Sequence, residues 1–340
     1  MQAWKNTLAR YQRASPKRAL WQLTNTFVPY LLLWYAMYRA LEISIWLTVP
    51  LAVVSSAFLV RIFIIFHDCT HGSYFRSRRA NDVLGFIAGV LTFTPYQHWQ
   101  WEHAMHHGSA GDLDRRGTGD IWTMTVQEYL SASPRRRLAY RLVRNPLVLF
   151  VLAPLAVFVI KQRFASPNAD KRRRRSVLQL NLVLLGTTVL LCWIFGVMPY
   201  LLIQSITMTI AGGVGLWLFY VQHQFDGVYW ERGDNWDYTT AALRGSSYYK
   251  LPKVLQWLSG NIGFHHIHHL SPRIPNYNLQ RCHESDRLFQ EVTPVTLTSS
   301  LRSLRFRFWD EQGRKLVGYA HLRRLAAEQR RNAALGPTGT

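Results

Sequence analysis

Cysteine is scarce in this chain of 340 residues. Cys69, Cys192 and Cys282 are scattered and odd in number, which argues against a disulfide scaffold and fits a reducing compartment. Acidic residues are scarce too: 19 Asp and Glu stand against 40 Lys and Arg, giving a formal net charge of +21 at pH 7. So basic a balance points to a polyanionic partner, either nucleic acid or anionic lipid headgroups. Signatures of nucleic-acid-binding modules are missing. The apolar residues, 49% of the chain, are strongly clumped, and aromatic residues reach 14%. Both features decide for the membrane, because aromatic rings favour membrane–water interfaces. The opening MQAWKNTLARYQRASPKRAL has no apolar centre. It therefore reads as a basic cytoplasmic arm over 1–19 rather than a cleavable secretion signal.

Apolar runs long enough to cross a bilayer lie at 20–38, 43–66, 177–195 and 198–221. The first carries Pro29, a possible kink, and meets the second through a turn with Arg39 and Glu42. Arg61 falls near the end of the second run, where its stem can snorkel to headgroups. Gly212, Gly213 and Gly215 in the fourth run predict close helix packing. Residues 83–97 and 146–160 are apolar but short, so they read as interfacial or re-entrant. The segment after 160 holds seven basic residues from Lys161 to Arg175 and is cytoplasmic by the positive-inside rule. The prediction is an all-α integral membrane protein with four transmembrane helices, both termini inside, a helical cytoplasmic cap and a basic tail at 301–340. Its setting is the bacterial inner membrane.

Against these scarcities stand thirteen histidines. Eight fall at recurrent spacings in three boxes: His67 and His71; His103, His106 and His107; His265, His268 and His269. On a helix, residues i, i+3 and i+4 share a face, so each box presents its imidazoles in one direction. The four-span topology puts all three boxes on one side of the membrane. Imidazole ligates Zn, Cu, Fe and Ni. Eight nitrogens exceed one tetrahedral ion and suit two ions with four or five each. His223 leaves the fourth run at the same interface and is expected as a ninth ligand. His98 and His266 are set aside, and His283 and His321 read as structural. Asp68, Glu102, Asp112, Asp114 and Asp226 are candidates to accept the free N–H of a ligating imidazole. Asn261, four residues before His265, is a candidate to hold a water at the metal, with a turn or cap as its other reading.

The stretches HDCTHGSYF, PYQHWQWEHAMHH, GDLDRRGTGD and GNIGFHHIHHLSPRIPNYNLQRCHE resemble the integral-membrane fatty acid desaturases, in particular the acyl-lipid Δ12 or ω-6 branch of bacteria and plastids. The resemblance covers about residues 25–300 and implies a single membrane-bound desaturase domain over 1–340. It implies two ferrous ions held by His67, His71, His103, His106, His107, His265, His268 and His269, with His223 at an additional ligand position. It implies O2 as co-substrate, an acyl chain as substrate, and electrons from a separate, ferredoxin-like donor, since neither terminus carries a haem or flavin module. Basic surfaces at 135–144, 171–175 and 302–331 can steer an acidic donor or bind lipid headgroups. A strong oxidant is needed because an alkyl C–H has no useful acidity near neutral pH. Sister enzymes with the same centre are the nearest alternatives: acyl hydroxylases, carotenoid ketolases and alkane hydroxylases. A metal transporter would require ionisable residues along its spans, and these runs hold almost none.

Overall fold

The computed structural model describes residues 3–335, so the last five residues of the expected tail, 336–340, lie outside the described residues. The chain is mostly helical. After a short α1 (Ala3–Tyr11), helices α2 (Pro16–Leu41) and α3 (Ile45–Thr70) form a hairpin. Two shorter helices follow, α4 (Arg78–Leu91) and α5 (Tyr96–Ser109), and then α6 (Pro134–Val143). A second long pair, α7 (Lys171–Phe195) and α8 (Val197–His223), completes the bundle. The cap carries α9 (His265–Leu270) and α10 (Asn276–His283).

Three described helices, α3, α7 and α8, are long and apolar enough to cross a membrane. A fourth crossing is possible by the same measure if α6 and the helical segment Val148–Arg163, bent by 64° to each other, act as one broken span. Helix α2, expected as the first span, has the length, at 26 residues, but is less apolar. Its polar side chains turn inward. Gln22 and Thr26 are buried and bond to Asn276 and Arg61, while Leu20, Trp21, Leu31 and Leu32 form an exposed apolar stripe. An average over the whole helix hides a lipid-compatible outer face.

Helix α3 has 26 residues and is about 39 Å long at 1.5 Å per residue, more than the hydrocarbon thickness of about 30 Å. The excess length lets its last turns, which carry the first histidine box, lie beyond the hydrocarbon. Helix α4, with 14 residues and about 21 Å, is too short to cross. The chain reverses at Thr92–Pro95, where Phe93 adopts φ +56°, and α5 returns against α3. Gly85 makes this possible, because a Cβ there would lie 2.1 Å from the Tyr96 ring. Tyr96 then donates its hydroxyl hydrogen to the Cys69 carbonyl (2.6 Å), and Gln100 Nε2 donates to the Thr70 carbonyl (2.6 Å). The C-terminal carbonyls of α3, which have no partner within their own helix, thus fix the position of the second box relative to the first.

The segment 148–163 is wound with π-turns on either side of Pro154, which cannot donate to the helical ladder. It nests on the glycines of α8: a Cβ on Gly212 would lie 2.7 Å from Pro154 Cβ, and one on Gly213 would lie 2.5 Å from the Phe150 carbonyl oxygen. Gly215 has open space instead, so only two of the three expected packing glycines serve that role. Gly213→Val is expected to destabilise the protein by about 1–3 kcal/mol through overpacking, read as a lower melting temperature in detergent. An unchanged melting temperature would show that this seat is not occupied.

Arg61 does not snorkel. It is 4% exposed, and Nε donates to Thr26 Oγ1 at 2.9 Å. Nη1 donates to the Trp257 carbonyl, and the guanidinium lies 4.0 Å from the Trp257 ring. The cap has closed over it. Part of the expected tail is also folded into the cap: Phe308–Asp310 pairs with Met124–Thr125 in parallel and with Lys315–Val317 antiparallel. Tyr248–Lys250 pairs in parallel with Pro294–Thr296.

Candidate metal centre

Four elements bring the histidines together. His67 lies in the last turn of α3 and His71 caps that helix; His103, His106 and His107 lie on α5. His223 ends α8, and the six-residue α9 carries His265, His268 and His269. The third box is held against α8 by Gln222, whose Nε2 donates to the Ile262 carbonyl (3.0 Å), and by Ser247, whose N–H donates to the Gln222 carbonyl (3.0 Å). Gly263 permits this, since a Cβ there would lie 2.4 Å from the Tyr249 carbonyl oxygen.

The nine imidazoles form two groups. His67, His71, His103, His107 and His268 make one; His106, His223, His265 and His269 make the other. Within each group the ligand nitrogens lie within 4.8 Å of one another. The rings of His107 and His269 stack at 4.1 Å and join the two groups. The second and third boxes are divided between them, while the first serves one group alone. The i, i+4 pairs His67/His71 and His103/His107 serve the first group and His265/His269 the second, while His106 and His268 cross over. Successive helical residues point about 100° apart, so His106 and His107 cannot face one point. A single direction per box, as the spacing suggested, is therefore too simple.

The arrangement fits metal ions on its own chemistry. His106 Nδ1 lies 2.7 Å from Asp120 Oδ1, and His223 Nδ1 lies 3.3 Å from the Gly245 carbonyl oxygen. Both acceptors hold the imidazole proton on Nδ1. The two Nε2 lone pairs then face each other at 3.1 Å, a repulsive contact unless a cation sits between them. The pairs His103/His107, His107/His268 and His223/His265 also bring Nε2 atoms to 3.0 Å. Two nitrogens about 2.1 Å from one ion and at right angles would be about 3 Å apart. Buried ring nitrogens on His71 and His269 have no hydrogen-bond partner.

Burial, reinforced by neighbouring imidazoles, holds His103, His107, His268 and His269 well below the ordinary histidine value, and burial pushes His266 down to about 3. They are neutral when folded, the form that ligates metal. Below about pH 6.5 the unfolded chain binds protons that the folded chain does not, so stability falls as pH falls. For His266 the window runs from about 6.5 down to about 3. The metal-free protein in detergent is expected to melt at progressively lower temperature as pH drops from 7 to 5; a flat profile would contradict the neutral folded state.

The remaining candidates separate clearly. Asp68 is 1% exposed, with Oδ1 3.3 Å from His67 Nδ1. Asp226 is exposed, carried outward where α8 ends and the chain turns through Gly227 at φ +78°. Asn261 adopts φ +60° in the turn before α9, so no helix links it to His265. Its side chain accepts from Gln256 Nε2 (3.1 Å) and donates to the Asn276 carbonyl (3.3 Å), so the turn reading replaces the water-holding one. Glu102 lies near His98 and Lys161, and Asp112 and Asp114 bond to Arg115 and Arg232. His98 bonds to Ser166, and His266 to Phe289 and His283, away from both groups.

Asp120 is the partner that spacing missed. It lies 14 residues beyond His106 in the GTGD turn, where Gly117 and Gly119 have φ of +118° and +76°. Trp99, stacked on His103 at 4.3 Å, is a second unanticipated neighbour. A cavity of about 280 Å3 reaches His106 and His223 and is lined also by Asp120, Arg136, Trp122 and Gln224.

The family model described as fatty acid desaturase matches residues 44–296, three quarters of the chain and all three boxes. The chain belongs to the fatty acid desaturase family. A "Fatty acid desaturase" of Bacillus subtilis is 48% identical over 94% of this chain and 90% of its own length. The "sn-1 oleoyl-lipid 12-desaturase" of Synechocystis is 28% identical over 71% of this chain and 68% of its own. The chloroplastic "Omega-6 fatty acid desaturase" of Arabidopsis thaliana is 25% identical over 71% of this chain, which spans 54% of the plant protein. This desaturase is thus a membrane enzyme of an oxidoreductase family whose histidine clusters are compatible with a two-metal site.

Proposed function

We propose that this desaturase inserts a cis double bond at the Δ12 or ω-6 position of a lipid-bound acyl chain, using O2 and two electrons at a di-iron centre. The carrying observation is the pair of largely buried imidazole groups, each with its ligand nitrogens within 4.8 Å of one another, at one end of the bundle. His67, His71, His103, His107 and His268 would hold one iron, and His106, His223, His265 and His269 the other. Both are nitrogen-rich sites suited to iron. When bound, the irons supply the O2 activation that hydrogen removal from an unactivated methylene requires. The overall change takes two hydrogens from the acyl chain and two electrons and two protons from outside, and yields two waters.

The chain's own residues set the conditions. Asp68 and Asp120 hold the protons of His67 and His106 on Nδ1, keeping Nε2 free. Burial excludes bulk water from the five-histidine group. The cavity beside His106 and His223 offers a solvent route on the cap side. The exposed apolar stripes of α2, α3 and α7 are the lipid face from which an acyl chain would enter. The basic segments around 161–175 support a cap and both termini on the cytoplasmic side of a bacterial inner membrane, and the match over residues 44–296 supports a single domain over 1–340. The electrons come from a separate, ferredoxin-like protein, drawn by that same positive surface. The printed names of the Synechocystis and plant relatives support the position of the double bond.

Expression in a host without polyunsaturated fatty acids, followed by fatty acid profiling and derivatisation, tests this reading. A new cis double bond at carbon 12 is the expected product. A double bond elsewhere overturns the position alone, and a hydroxylated product without a new double bond overturns desaturation.

A further inference from the structure

Asp68 is a buried carboxylate whose hydrogen-bond donors come from far along the sequence. Its Oδ2 accepts from the Asn276 backbone N–H at 2.6 Å and from Asn276 Nδ2 at 2.8 Å. That leaves Oδ1 to face His67 Nδ1. Asn276 is fully buried at the start of α10, and its Oδ1 accepts from Gln22 Nε2 on α2 at 2.8 Å. Since Oδ1 is engaged by a donor, the amide can orient in only one way, with Nδ2 toward Asp68. Gln22 is 4% exposed, and its own Oε1 is buried without a partner. An unmet buried acceptor carries a free-energy penalty, so apolar packing alone would not favour glutamine at this position.

The outer end of this chain of bonds is anchored by the N-terminal segment, expected from the sequence only as a basic arm. Gln12 Nε2 donates to Ser271 Oγ at 3.0 Å, and the Ser15 N–H donates to the Tyr277 hydroxyl at 3.1 Å. Arg18 Nη1 donates to Asn278 Oδ1 at 2.8 Å, and Asn278 Nδ2 donates to the Tyr11 carbonyl at 2.9 Å. All of these contacts fall on residues 271–278, immediately after the third box. The N-terminus, the flank of the third box and the first box therefore meet in one network.

We infer that Gln22 and Asn276 are positioning residues that act through Asp68 to orient His67. The relay is the five-histidine group's counterpart of the direct Asp120–His106 contact in the other group. Carboxylates that accept from a ligating imidazole set its tautomer and angle, and their loss weakens metal binding by about 10–100-fold. The relay extends that control to two residues that touch no imidazole. The inference rests on the proposed metal centre.

The test is a Co2+ titration of the full-length, metal-free protein in detergent, followed by visible absorption, which reports ligand geometry as well as affinity. The parent chain is expected to take up two ions. Asn276→Leu is expected to weaken one ion by about 10–100-fold and change its spectrum while leaving the other as in the parent. Asp120→Ala is expected to affect the other ion. Combining Asn276→Leu with Asp68→Ala is expected to add little to Asp68→Ala alone, because residues in one network do not act additively. If Asn276→Leu does not fold, Gln22→Leu carries the same comparison. It leaves both Asn276 donors, the backbone N–H and Nδ2, on Asp68, so a smaller, several-fold weakening of the same ion is expected. Equal weakening of both ions, parent-like binding, or full additivity with Asp68→Ala would overturn the relay while leaving the centre intact. No uptake by the parent would overturn the centre itself, and the relay with it.

Discussion

A His223→Ala chain is expected to form no measurable new double bond and, when purified, to hold about one metal ion where the parent holds two. His223 belongs to no box, yet it stands at the middle of the four-histidine group. Its Nε2 lies 3.1 Å from that of His106 and 3.0 Å from that of His265, and its ring is 4.8 Å from that of His269. Its loss leaves three imidazoles, whereas the other group would keep four after losing one. The expected fall in activity exceeds the roughly 100-fold typical of removing a mere outer partner. Fatty acid profiles of the expressing host and metal analysis of the purified protein are the two measurements. Full activity with two ions bound would remove His223 from the ligand set.

Asp120→Ala is expected to lower desaturation by about 10–100-fold with the fold retained, and Asp120→Asn by less. The carboxylate accepts a hydrogen bond from His106 Nδ1–H and another from the Gly117 N–H at 3.1 Å, so it ties the ligand to its own turn. Asparagine keeps an acceptor but loses the charge that favours the Nδ1–H form. Gly119 makes the approach possible: a Cβ there would lie 3.1 Å from both His106 Cβ and the Glu102 carbonyl oxygen, on a backbone at φ +76°. The check is turnover in membranes together with the melting temperature of the purified variant. A large drop in melting temperature with parent-like turnover would make Asp120 a structural residue only.

Much of this molecule was legible before any coordinates. The spans around 43–66, 177–195 and 198–221 appear as helices of 26, 25 and 27 residues, because a long apolar run in lipid must satisfy its own backbone. The short run at 83–97 was readable as a turn-back from length alone. Helix α2 was harder, since its inward polar residues are compensated by partners from α3 and α10, 35 and 254 positions away. Asp226 and Asn261 are close in sequence to a histidine, but both fall where the chain leaves helical geometry, so neighbouring numbers do not mean neighbouring side chains. Asp120, Asn276 and Gln22 carried no spacing signal at all, because their contacts depend on turns and on a helix packed from the other end of the chain.

The sequence by itself determined that histidines would gather at the membrane surface: spacing fixes which imidazoles share a helix, and hydropathy fixes which helix ends emerge. Only the tertiary structure decided which imidazoles share an ion. Adjacent residues such as His106 and His107 diverge by about 100° on α5, so each must find its companions on other helices. Those companions come from α3, α8 and α9, and their angles are set by packing and by hydrogen bonds to Asp68, Asp120 and Gly245 rather than by any pattern within a box.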